Sequence, residues 1–285
     1  MSDQPNSLRR FTVIELPVLP IVAQSLLMPF KYLPELVKYG GLPYLLVLVV
    51  KAISFLLARE DISRGAVGAI YWIAHFVLFT PFSVTWTKLA IYGRSAIADD
   101  PPFAYTKSRW LYLLASTVMS IAILICIGFP LTLFRYGQRT LDSMIVTEAA
   151  LGFFVGLLLF LVGFVRLAFI FPAIAIGKYE GISAAWKQTA GNIERLAAIL
   201  ALTFAPWYVL RRALEWGIGY NPPGVTAAAT GCLDMLLVSL ATTALAGPAL
   251  AYKTLVLSHH DDTTAGAGVT PAEGSVKPTA GFTSN

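Results

Sequence analysis

Six long apolar runs, near 41–58, 66–86, 110–133, 147–172, 196–214 and 226–251, leave this chain few folds to choose from. About 20 apolar residues in an α-helix cover the roughly 30 Å of hydrocarbon in a bilayer. A backbone inside lipid must satisfy its own polar groups, which a helix does within the segment. The expected fold class is an all-α membrane protein, a six-span helical bundle. Composition agrees: 13% of residues are charged and 56% hydrophobic, with a mean hydropathy of +0.69 over 285 residues. A soluble domain carries about 25% charge, so water is a poor solvent for this chain.

The formal net charge is +5 and the pI about 9.2. In a soluble protein that excess would suggest nucleic acid. Here the basic residues flank apolar runs, where they orient spans and meet anionic headgroups, so no nucleic-acid partner is expected. Arg9, Arg10, Lys31 and Lys38 precede the first run, and Lys88, Arg94, Lys107 and Arg109 lie between the second and third. Arg166, Lys178, Lys187 and Arg195 surround the fourth-to-fifth connection, and Lys253 and Lys277 follow the sixth run. The other side has only Arg59, Arg64, Arg135, Arg139, Arg211 and Arg212. The positive-inside rule then places both termini in the cytoplasm. Aromatic residues suit the same frame, with Tyr71, Trp72, Trp216 and Tyr220 expected at one interface and Trp86, Trp110 and Trp186 at the other.

The first apolar stretch, Val18 to Phe30, contains Pro20 and Pro29 and lacks a small-residue cleavage pattern, so no cleavable signal peptide is expected. Cys126 and Cys232 fall inside runs and read as small apolar residues rather than a disulfide framework. Residues 1–257 are expected to form one membrane domain. Residues 258–285, rich in Thr, Gly, Ala, Ser and Pro, read as a disordered cytoplasmic tail.

The even-numbered runs end alike: Thr80-Pro81-Phe82 with Lys88 following, Phe171-Pro172-Ala173 with Lys178 following, Gly247-Pro248-Ala249 with Lys253 following. Each odd run is preceded by a polar, partly amphipathic segment: Val22 to Tyr39, Lys88 to Arg109, and Ile182 to Ile193. In the third, Ile182, Ala185, Trp186, Thr189 and Ile193 share one helical face, and Gly191-Asn192 reads as a helix stop followed by a new N-cap. Such helices lie in the headgroup plane. Three cytoplasmic interfacial helices are therefore expected. The unit of surface helix plus hairpin, repeated in blocks of about 80 residues, gives a pseudo-threefold bundle on one reading and a coincidence of sparse matches on the other.

From Val165 the chain reads VRLAFIFPAIAIGKYEGISAAWKQTAGNIERLAAILAL. This run resembles the YciC-like membrane proteins and the related membrane-domain family named after glycerophosphoryl diester phosphodiesterases. The shared features are a basic residue near a span end, Pro172 before a small residue, a Ser/Ala/Trp amphipathic helix, and a Gly-Asn step into the next span. The opening, an amphipathic stretch leading to Gly41-Leu42-Pro43, is similar too. The resemblance implies a six-span bacterial cytoplasmic (inner) membrane protein of a family without a firmly assigned activity. Relatives with a fused phosphodiesterase domain exist, but this chain has no room for one, so no hydrolase activity carries over.

Lys51 is the sharpest local anomaly. It sits in LVLVVKAISFLL, where an ammonium costs about 2.5–3.5 kcal/mol at mid-span. By depth, Lys51, His75 and Asp234 fall near one level. They read either as a proton or ion relay or anionic-headgroup site, or as an interhelical ion pair with Lys51 snorkelling. Arg166, with Lys178 and Arg195, is a candidate for lipid phosphate, against an arginine that merely snorkels. Gly152 and Gly156 make a small-residue face for packing within the chain or against a second copy. His259-His260-Asp261-Asp262 lacks the fixed geometry of a selective metal site. No GxxxxGK[ST], HExxH, GxSxG or GxGxxG occurs in a credible context, so no catalytic residues, metal or cofactor are expected. Three functions remain: a non-enzymatic protein that binds lipid or organises a membrane partner; a small transporter or channel around Lys51, His75 and Asp234; and an intramembrane lipid enzyme, thinly supported by Asp99-Asp100 and Arg166.

Overall fold

The computed structural model describes residues 15–57, 64–140, 143–218 and 242–257. Among them there is helix and no strand. The elements are α1 (Val18–Lys31), α2 (Leu33–Leu57), α3 (Arg64–Tyr92), α4 (Lys107–Ile123), α5 (Phe129–Thr140), α6 (Ser143–Leu167), α7 (Ile170–Ala175), α8 (Ile182–Gln188), α9 (Ile193–Ile218) and α10 (Ala246–Tyr252). Four helical stretches are long and apolar enough to cross a membrane: Leu33–Val50, Lys107–Gln138, Met144–Ala175 and Ile193–Leu214. They overlie the first, third, fourth and fifth expected runs. The second run lies inside α3, a single helix of 29 residues, and the sixth lies outside the described residues except for its end.

The centre of the molecule is the C-terminal half of α3. Phe79, Phe82, Val84, Trp86, Leu89 and Ile91 are buried, and so are Thr80, Ser83, Thr85 and Thr87. A helix buried on all sides must be wrapped by others, and α3 contacts α2, α4, α7 and α10. Its hydroxyls are hydrogen-bonded rather than stranded. Thr80, Ser83 and Thr87 donate to the carbonyls of Phe76, Phe79 and Ser83, four residues earlier, at 2.7, 3.0 and 2.8 Å.

Prolines decide where the apolar runs break. Pro172 and Pro248 each occupy the third position of a short helix, α7 and α10, where a backbone N–H has no partner inside the helix in any case. The run 147–172 is accordingly not one helix: α6 stops at Leu167, a turn covers Ala168 and Phe169, and α7 restarts the helix. Pro81 behaves differently. The alignment of the three run ends suggests a helix terminus there, but α3 continues through it to Tyr92. The carbonyl orphaned by its missing N–H is that of Val77, and the Tyr105 hydroxyl donates to that oxygen. In the third run, α4 and α5 are joined by a π-helical turn, Leu124–Gly128, just before Pro130. Pro130 frees the Cys126 carbonyl, and α6 crosses beside it at Gly156, where a Cβ would fall 2.0 Å from that oxygen. The Gly152/Gly156 face is thus used for packing within the chain.

The expected surface helices are recast. Val22 to Tyr39 is not one element: α1 ends at Tyr32 (φ −117°, ψ 35°), and α2 runs unbroken from Leu33 through Gly40, Gly41 and Pro43. A Cβ at Gly40 would lie 3.1 Å from the Phe82 ring, so the absent side chain lets α2 sit close on α3. Lys88 to Arg109 holds the end of α3, a 3₁₀ turn at Arg94–Ile97 and a loop. Ile182 to Ile193 gives α8 and the first residue of α9, with Gly191 at φ 81° between them, as a helix stop requires. Ala185 and Thr189 are buried while Ile182 and Trp186 are exposed.

Candidate functional site

Three proline segments meet in the core: α3, α7 and α10 contact one another pairwise. Between them and α4, α6 and α9 lies a partly open cavity of about 190 Å³. Its apolar wall includes Phe76, Phe79, Phe164, Phe171, Leu200 and Leu245, and Pro172 and Pro248 also line it. Its polar wall is a run of hydroxyls, Thr80, Ser83 and Thr87 from α3 facing Tyr112, Ser116 and Ser120 from α4. His75, stacked on Phe79 at 4.7 Å between ring centroids, also lines it. Among the described residues lining it there is no Asp, Glu, Lys or Arg.

A second cluster lies at the basic end of the molecule. Arg109 is fully buried. Its Nη2 is 3.2 Å from Asp100 Oδ1 and donates to Thr85 Oγ1 at 3.1 Å. Its Nη1 donates to the Pro101 carbonyl at 2.7 Å and to that of Ala104. Asp100 Oδ2 accepts from Lys88 at 3.1 Å and from Thr85 at 3.3 Å. A guanidinium that leaves water needs such a ring of acceptors, because the interior offers nothing else to replace hydration. One carboxylate faces two cations, and the loop carbonyls take the Nη1 donors, while the buried Nε has no hydrogen-bond partner among the described residues. In the same loop, burial holds the Tyr105 phenol above its ordinary range, with the Arg109 charge opposing.

Segments that the charge count assigns to one side touch each other here. Arg94 pairs with Glu35 at 2.6 Å, and the Tyr39 hydroxyl donates to the Ile97 carbonyl at 2.8 Å. Arg195 pairs with Glu15 at 2.8 Å, and the Leu16 amide donates to Asn192 Oδ1 at 3.3 Å.

Of the intramembrane trio, only His75 has a described side chain, and it is buried in the cavity wall. Lys51 falls within α2 with its side chain outside what is described, and Asp234 lies outside the described residues. The headgroup candidates have separate partners. Arg166 lies over the Trp186 ring at 5.0 Å and donates to the Trp186 carbonyl at 3.2 Å. Arg195 is engaged with Glu15, and Lys178 is exposed in the loop after α7. Trp86 does not belong to an interfacial belt: it is buried, with its indole N–H donating to the Thr243 carbonyl at 3.1 Å. Trp110 and Trp186 are exposed. No group of three metal-ligating side chains occurs among the described residues, and His259 to Asp262 lie outside them.

Sequence reasoning missed Arg109, counting it only as a topological charge. The available signal was Asp99-Asp100-Pro101-Pro102, which pairs a carboxylate with a rigid turn nine residues before an arginine. The described residues define a class of protein, one built of helices without strands and carrying apolar helices of membrane length. No family model, curated protein or solved structure matches the chain.

Proposed function

We propose that this chain is an integral protein of the bacterial cytoplasmic membrane, with six spans and both termini in the cytoplasm, that binds membrane lipid or organises a membrane partner and is not an enzyme. The observation that carries the reading is how its apolar surface is divided. Along the membrane-length helices large hydrophobic side chains stay exposed, among them Leu45 and Val49 on α2, Leu114 and Val118 on α4, and Leu151, Phe154 and Leu158 on α6. A surface of that extent asks for hydrocarbon. At the other extreme, polar contacts tie residues 15–39 to 88–109 through Arg94–Glu35 and to 189–195 through Arg195–Glu15, and Arg109–Asp100 holds the 88–109 segment together. That is the arrangement expected at the headgroup level of a basic, cytoplasmic face. The convergence of Thr80-Pro81, Phe171-Pro172 and Gly247-Pro248 on one cavity supports the repeated-hairpin reading and, with it, the likeness to YciC-like proteins. Within this picture Arg166, Lys178 and Arg195 are the headgroup contacts, with Arg166 held by Trp186 and Arg195 by Glu15 while Lys178 is exposed.

Gentle extraction followed by mass spectrometry of the retained lipid tests the proposal. Stoichiometric, unmodified phospholipid that is reduced in an Arg166→Gln/Lys178→Gln variant is the expected outcome. Release of a hydrolysed lipid would replace it with an enzyme. A second reading, a small transporter or channel, is favoured by the position of His75 in a central cavity. Solute or proton flux in proteoliposomes that disappears in Lys51→Ala would establish it.

A further inference from the structure

The wall chemistry of the central cavity identifies a kind of ligand. We propose that the cavity between α3, α4, α7, α9 and α10 binds the hydroxyl end of a neutral lipid alcohol, an inference that rests on the membrane-lipid reading and narrows it. The argument begins with the fate of each hydroxyl proton. Thr80, Ser83 and Thr87 spend theirs on α3 carbonyls. Ser116 donates to the Leu113 carbonyl at 2.9 Å and Ser120 to the Ser116 carbonyl at 2.8 Å. Tyr112 lines the same wall beside Thr87 and Ser83, whose own protons are committed, so its single phenol proton can serve one of them at a time and its oxygen keeps lone pairs. What these six side chains present to the cavity is therefore mainly oxygen lone pairs, a row of acceptors, with His75 and Thr242 completing the polar wall. A ligand that suits them brings a donor.

Charge narrows the choice. Among the described wall residues there is no carboxylate to pair with an ammonium and no basic residue to meet a phosphate, so either charge would sit unpaired against them. A neutral hydroxyl meets neither penalty. The remainder of the wall is aromatic and aliphatic, which accepts hydrocarbon. Size agrees as well: a cavity of about 150 Å³ takes a benzene-sized apolar molecule, and this one, at about 190 Å³, holds the hydroxyl and first several carbons of a chain. The rest of the chain leaves through the open side.

The test uses the full chain purified in detergent and two photoreactive probes that differ at one atom set, a diazirine-bearing hexadecanol and its methyl ether. The alcohol is expected to label peptides of α3 and α4 that carry the cavity wall, and to compete with unlabelled hexadecanol at least about fivefold more tightly than the ether does, the factor one donated hydrogen bond supplies. In the double variant Ser116→Ala/Ser120→Ala, which removes two acceptors without adding bulk, that ratio should fall towards one while labelling by both probes persists. Ser116→Phe, which fills the cavity, should abolish labelling by both. Equal binding of alcohol and ether to the wild type, or labelling that maps elsewhere, overturns the proposal. Retained phospholipid in the same preparation would then leave the broader lipid-binding reading standing, whereas its absence alongside cavity labelling would remove that reading and leave a site for an alcohol alone.

Discussion

The second half of α3 and the middle of α6 are both strongly apolar, but they meet different surroundings. From Phe79 to Ile91 almost every α3 side chain is buried in protein. On α6, Leu151, Phe154, Leu158, Leu159 and Val162 are all exposed. The distinguishing feature in the sequence is the small hydroxyl residue. Thr80, Ser83, Thr85 and Thr87 interrupt the α3 segment, while 152–165 reads GFFVGLLLFLVGFV without one. A Ser or Thr that returns its proton to its own helix packs closely against a neighbour and gains little from lipid. A run lacking such residues has no reason to turn inward. Hydrophobicity alone says that both cross or line the membrane; the hydroxyls say which one faces protein.

The sharpest way to break this comparison is to remove the same ring from both places. Phe82→Ala should cost about 3–5 kcal/mol, because Phe82 packs on Trp86 at 5.6 Å between ring centroids and on Gly40 of α2, and the hole cannot collapse. Phe154→Ala, at a site 68% exposed, should cost less than about 0.5 kcal/mol. Thermal unfolding in one detergent reads both. Similar losses would mean that α6 is covered by protein after all.

Arg109→Met sharpens the contrast at the polar end. Its expected cost is about 3–5 kcal/mol, since the change takes the donor from the Pro101 and Ala104 carbonyls and leaves Asp100 with Lys88 as the one of its two cations still in place. Asp100→Asn should cost less, because Arg109 keeps the Pro101 and Ala104 carbonyls and Thr85. If both variants lost the same amount, the carbonyl contacts would carry nothing. Gly156→Ala comes next, at about 1–3 kcal/mol, as α6 must move off the Cys126 carbonyl. Hydrogen exchange should quicken in α4, α5 and α6 and stay unchanged in α1 and α10. A loss spread evenly over the chain would contradict the close crossing.

Much of this was legible before any coordinates. The apolar runs placed α2, α4 with α5, α6 and α9, and the Gly191-Asn192 step placed the junction of α8 and α9, because length and local turn chemistry act over a few residues. The recurrent prolines marked three alike run ends without saying that Pro81 stays inside a helix. That outcome depends on Tyr105, a residue 28 positions from the orphaned Val77 carbonyl, supplying a donor. Arg109 was invisible as a buried group for the same reason: burial of a charge depends on acceptors brought by a distant fold, and sequence spacing carries only the suggestion of a loop. Trp86 looked interfacial because a tryptophan at a run end usually is, and only the Thr243 carbonyl explains why it turned inward.

The smallest expected effect concerns where the first span begins. Tyr39 is buried, and its hydroxyl reaches the Ile97 carbonyl in the 3₁₀ turn, so Tyr39→Phe removes one hydrogen bond and leaves a carbonyl without that donor. About 1 kcal/mol is the expected loss. Its location carries the information: with α2 unbroken from Leu33, exchange should rise at Arg94–Ile97 and in the first turns of α2 together, because one rigid helix transmits the change. A hinge at Gly40-Gly41, as the sequence alone suggests, would confine the change to residues before 41. The two patterns separate a single tilted helix from a surface helix joined to a span.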